Sequence, residues 1–257
     1  MFLQQLLAPF SGGGAAAAAK RRAAVVKARD ELISAVVEVR GGATTSSSTA
    51  TASERRRRAD DAVVHLAAIA RGERLALDLL GPEPFQVVYA SGGFPLWRVT
   101  SELAEKIGGG KKKKAKERDP SGGVVASQQF SPSTRQLVNR VDYGRFLGRT
   151  VAVTAFGEYA PLFGEGGDED EQPPVLPLRV RADVRGGSLE LGAPEEEEDG
   201  AVILPLPIRG QGFFEILFAD EQVRVFSSPG PAGTAAISVQ MHRRKETGGP
   251  EVRRRRR

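Results

Sequence analysis

The 257-residue chain contains no cysteine and only two histidines, His65 and His242. The first absence excludes disulfide frameworks, thiol nucleophiles, iron–sulfur clusters and cysteine-ligated zinc together. The second excludes a multi-histidine metal site built within one chain, so no metal and no cofactor is expected. Long apolar runs are missing too: no stretch approaches the roughly 18–20 uncharged apolar residues that a spanning helix requires. The chain reads as a soluble or peripheral protein.

Catalytic devices are equally scarce. There is no G-x-S-x-G elbow, no glycine-rich loop followed by Lys-Ser/Thr, no H-E-x-x-H and no EF-hand spacing. The glycines cluster as GG or GGG between low-complexity runs, which is linker composition. The densest carboxylates, Glu165–Glu171 and Glu195–Asp199, sit in runs where like charges stay hydrated. The composition points to no reaction, and the protein is not expected to be an enzyme.

Acidic residues are absent from the first 29 positions, where Lys20, Arg21, Arg22, Lys27 and Arg29 follow an apolar opening and an alanine run. A secretory signal would place its basic residues before the apolar segment. Acid-poor, alanine-rich character fits an organelle transit segment at 1–19 better. The formal net charge of +5 belongs mostly to the other terminus. Residues 243–257 hold eight basic residues against two acidic ones, a net +6 that leaves the remainder near neutral. This tail contains no aromatic residue to stack on bases, so no nucleic acid is expected as a partner. A contact with an anionic lipid surface uses the same charge.

Residues 20–39 place Val25, Val26, Leu32, Ile33, Val36 and Val37 near one helical stripe, ended by Gly41-Gly42. A Ser/Thr/Ala run at 43–53 reads as a linker, and a second helix is expected from about Glu54 to Arg71. His65 falls in that helix without a partner histidine, as an ordinary surface or half-buried residue.

After Leu80 the period changes from 3.6 to 2. Strand-like runs occur at Phe85–Tyr89, Val124–Phe130, Gln136–Tyr143 and Thr150–Tyr159. The strictest alternation is Leu178–Arg185, with one dry and one wet face. Phe213–Phe218 and Val223–Phe226 flank Ala219-Asp220-Glu221 as a hairpin, and Ala236–His242 alternates again. That last run places Ile237, Val239 and Met241 on the dry side, and Ser238, Gln240 and His242 on the wet one. Seven to nine strands without intervening helices exclude a doubly wound parallel sheet. The expected fold is mainly β with N-terminal helices: an antiparallel β-barrel or strongly curved sheet spanning 20–242. Disordered insertions are expected near 43–53, 108–123, 164–174 and 193–200, with a basic disordered tail at 243–257.

Four segments, in order, resemble the plastid lipid-associated protein family, the fibrillins. They are Leu32–Gly41, Gly81–Ser91, Asn139–Tyr143 and Ile216–Val225, the last keeping Asp220 and, four residues on, Arg224. Phe85 stands where the family has a tryptophan. The resemblance implies a lipocalin-like barrel in plastids, at thylakoids or plastoglobules, that binds or sequesters lipids, carotenoids or quinones. Alternation then nominates Val87, Tyr89, Val153, Val180, Ile216, Val225 and Ile237 as cavity lining. Asp220 and Arg224 are expected to fix the hairpin by a charged hydrogen bond. The alternative is a packed barrel acting as a structural or assembly partner of photosynthetic complex subunits.

Overall fold

A computed structural model describes residues 15–41, 50–91, 124–146, 149–163, 174–192, 201–229 and 235–242. Of the segments expected to be disordered, 108–123, 193–200 and 243–257 lie outside these residues, as does 164–174 except Pro174. The chain divides into two compact units, residues 1–71 and 72–257.

The first unit contains helices α1 (Ala15–Arg40) and α2 (Ala52–Ala70). α1 starts earlier than its apolar stripe because the alanine run has the highest helix propensity. Residues 15–19 of the supposed transit segment therefore belong to the helix, and 1–14 are not described. The buried stripe is narrower than expected: Ala28, Leu32 and Val36 are buried, whereas Val26 and Val37 are exposed. α2 begins in the run read as linker, because Thr51-x-x-Glu54 forms a capping box. The Thr51 hydroxyl accepts from the Glu54 N–H (3.2 Å) and the Glu54 carboxylate from the Thr51 N–H (2.6 Å). The helices run antiparallel. Arg21 donates to the Arg71 carbonyl, His65 lies 3.6 Å from Glu31, and Arg58 lies 3.7 Å from Glu38.

The second unit is a sheet of nine strands: β1 (Phe85–Ser91), β2 (Val125–Ser131), β3 (Gln136–Phe146), β4 (Arg149–Leu162), β5 (Leu178–Leu191), β6 (Val202–Leu206), β7 (Gly210–Ala219), β8 (Val223–Pro229) and β9 (Ala235–His242). All pairings are antiparallel. The order β4-β3-β2-β1-β9-β8-β7-β5 is closed by β5 pairing back onto β4. Closure removes the exposed edges that an open sheet of this size would present. The 3-10 turn Leu77–Leu80 lies just before β1.

β5 serves two neighbours on its other edge. Leu178–Val184 pairs with β7, and Gly187–Leu191 pairs with β6, which therefore leaves the ring as a ninth, outer strand. β6 went unread in the sequence because Pro205 and Pro207 break the pattern. Proline is tolerated there because β6 is an edge strand. A bulge at Phe156/Gly157 lets long β4 bend along β5. Gly157 is required at it: a Cβ would lie 2.0 Å from the Asp183 carbonyl oxygen.

Candidate functional site

Register assigns every strand residue to one wall of the ring, because residues paired across antiparallel strands share a face. The inner wall is identified by rings that meet across it. Phe130 on β2 lies 5.1 Å from Tyr159 on β4, 6.1 Å from Phe214 on β7 and 5.8 Å from Phe226 on β8. None of these strands neighbours β2 in the sheet. Such contacts run only through the interior, so this end is filled by the protein's own aromatic side chains.

Away from that cluster the inner wall changes character. The paired rows Ala126–Val141–Val153 and Ala155–Gly187 carry small or aliphatic residues. Val153 pairs with Leu189, and Leu189 with Leu204 on β6. The inner apolar surface thus continues onto Leu204 and Val202, both 44% exposed, beside the outward-facing Ile203 at 62%.

Four of the seven nominated lining residues share the inner wall: Val87, Val153, Val180 and Ile216. Tyr89, Val225 and Ile237 do not. Val87 pairs with Gln240, but a bulge before Tyr89 shifts the register so that Tyr89 faces with Val239. Val225 pairs with Val239, and Ile237 with Ser91 and Ser227, on the outer wall. The side of the last strand expected to be wet is buried at its centre. Ser238 and Gln240 are 1% and 2% exposed and share the inner wall with Phe226 and Arg224. Val239 is buried as well, so this strand is dry on both faces and polarity does not mark its orientation.

The hairpin motif divides in the same way. The Asp220 carboxylate accepts from the backbone N–H groups of Gln222 (2.8 Å) and Val223 (2.7 Å), fixing the β7–β8 turn as expected. Arg224 does not join it. Its side chain turns inward, is 1% exposed, and lays its guanidinium 3.5 Å over the Phe85 ring. Nη2 of Arg224 donates to the Leu79 carbonyl at 3.1 Å, with the Gly81 carbonyl 3.5 Å away, tying β8 to the 3-10 turn.

Nε and Nη1 of Arg224 have no partner. Beside them runs a chain of inward amides: Gln240 donates to Gln128 (2.7 Å), and Gln128 donates to Asn139 (2.8 Å). Gln240 Oε1 and the hydroxyls of Tyr159, Ser228 and Ser238 are buried without a hydrogen bond. Burial pushes the Arg224 guanidinium down to about 9, with the Tyr159 phenol acting against the shift. Burial raises the Tyr159 phenol, against the charges of Arg135 and Arg224. Sequence reasoning missed this cluster because its only signal, polar residues inside alternating strands, looks identical to a solvated face.

Two recesses lie elsewhere. A groove of about 810 Å³ runs along the helices, between Val26, Glu31, Glu38 and Arg58. A recess of about 300 Å³ sits on the outer wall of β1–β3, at Gln86, Ser127, Val138 and Arg140. Among the described residues, no group of acidic or histidine side chains could hold a metal ion, and no helix is long and apolar enough to cross a membrane. No family model, no curated protein and no solved structure matches this chain.

Proposed function

We propose that this protein carries or sequesters a hydrophobic small molecule inside its β-ring, as a fibrillin-like protein at plastid thylakoids or plastoglobules. One observation carries the reading. The inner wall runs from a filled aromatic end to small residues at Ala126, Val153 and Ala155, then out onto the exposed apolar residues Val202 and Leu204. An apolar wall that reaches solvent at one end is the geometry an apolar molecule needs for entry. Lipids, carotenoids and quinones are the candidate passengers, taken from a membrane surface on which the protein sits peripherally. The chain performs no chemistry on them in this reading.

A second reading has its own observation. The rings of Phe130, Tyr159, Phe214 and Phe226 fill part of the interior, and β6 exposes Val202, Ile203 and Leu204 outside it. A packed barrel with an exposed apolar strip suits a structural or assembly partner of photosynthetic complex subunits.

One experiment separates the two. The full chain is incubated with a plastid extract of lipids, carotenoids and quinones, re-purified, and its bound molecules are identified by mass spectrometry. A stoichiometric apolar passenger that is lost in Val153→Arg supports the carrier. A protein that returns empty yet sediments with thylakoid membranes overturns the carrier in favour of the assembly partner.

A further inference from the structure

We infer that the passenger is a long-chain carboxylate whose head group lies against Arg224 and Gln240, deep in the ring. This inference rests on the carrier reading and names the chemistry of its ligand.

Arg224 is sealed from water, and its contacts compensate it only in part. The Phe85 ring face and two carbonyls stabilise the cation, but Nε and Nη1 are bare. No described carboxylate forms a salt bridge with it. A buried cation without a counter-ion is strongly destabilising, and a carboxylate supplies both the charge and the missing acceptors. The neighbouring amides add to this. The chain Gln240–Gln128–Asn139 keeps both of its hydrogen bonds if all three amides flip together, and the flip turns the unpaired position of Gln240 from acceptor to donor. Gln240 pairs with Arg224 across β8 and β9, so that donor would act beside the guanidinium.

One sealed guanidinium balances a single negative charge. Arg135, the other cation near Tyr159, is only half-buried. A carboxylate leaves the interior neutral, whereas a phosphate monoester would bring further charge that nothing sealed there cancels. Beyond the head, the hydrocarbon would run past Ala126 and Val153 toward Leu204.

The test uses the full chain and a dansylated undecanoic acid, beside its methyl ester and a dansylated alkyl phosphate of the same length. The acid is expected to bind at least ~10-fold more tightly than the ester, about 1.4 kcal/mol. Arg224→Gln should abolish that preference while still binding the ester. Equal binding of acid and ester overturns the head-group site and leaves the carrier intact; binding of neither overturns the carrier itself. A phosphate that outbinds the acid overturns the single-charge assignment. Should Arg224→Gln fail to fold, carboxyl-13C oleate on the unaltered protein decides the matter. A bound resonance that stays ionised below the ordinary carboxylate range supports pairing with the guanidinium, and one that titrates as in water overturns it.

Discussion

At one end of the inner wall Phe130 is buried among Tyr159, Phe214 and Phe226; at the other, Val202 and Leu204 lie on the same continuous face and remain 44% exposed. Both ends are apolar and both lie on strands of the same sheet. Neighbours set them apart. The aromatic end has strands on every side, whereas β6 has only β5 beside it. An apolar inner wall therefore acts as a core where the ring surrounds it and as an accessible surface where the ring opens.

The largest expected effect breaks the closed end. Phe130→Ala removes a ring that touches three others, and should cost about 3–5 kcal/mol in urea unfolding. Leu204→Ala, on the same wall, should change stability by less than about 0.5 kcal/mol. A similar loss from both would mean that β6 is part of the core. The β4 bulge gives the next contrast. Gly157→Ala sets a Cβ against the Asp183 backbone and should cost about 3 kcal/mol. Gly186→Ala meets only the Phe156 ring, itself 46% exposed and able to rotate away, and should cost under about 1 kcal/mol.

A pH experiment sharpens the comparison from inside the closed end. Burial holds the Arg224 guanidinium at about 9 in the folded protein, well below the ordinary guanidinium range. Above the folded value, the unfolded chain holds this proton and the folded one does not. Stability from this group therefore rises with pH, by at most about 1.4 kcal/mol per unit. Tyr159, raised in the fold, works in the opposite sense above its ordinary value of 10.0. The rise belongs between about pH 9 and 10. Thermal melts of the empty protein should show it, Arg224→Met should lack it, and a bound carboxylate should suppress it. Identical pH profiles for the empty protein and Arg224→Met would show that the cation is not destabilised by burial.

The strands were legible where only one face is buried. Leu178–Arg185 alternates in sequence because its outer face carries Arg179, Arg181 and Asp183, and the structure extends that strand to Leu191. Legibility failed at β8 and β9. There Val223, Val225 and Val239 are buried on the outer wall while Arg224, Ser238 and Gln240 are buried on the inner one. Polarity then reports the chemistry of the interior instead of the direction of solvent. The bulge at Val87/Tyr89 reversed the second residue's face, and a bulge leaves no mark in the alternation of apolar types. The candidate site was therefore half legible: four aliphatic lining residues follow from pattern, but the buried cation reads in sequence as one half of a turn.

The smallest effect on stability carries the most information about function. Val202→Ser with Leu204→Ser removes apolar surface that is already half in water, so unfolding should shift by less than about 1 kcal/mol. The two readings of function diverge on the same protein. If β6 is the lip by which an apolar molecule enters, this variant binds the dansylated acid more slowly, because the wall outside the ring no longer guides the chain inward. If β6 is a docking strip, uptake is unchanged and sedimentation with thylakoid membranes falls. Stopped-flow fluorescence and sedimentation of one purified variant distinguish the outcomes. Loss of both would mean that the membrane is where the passenger is loaded, joining at β6 the entry and docking roles that the two readings hold apart.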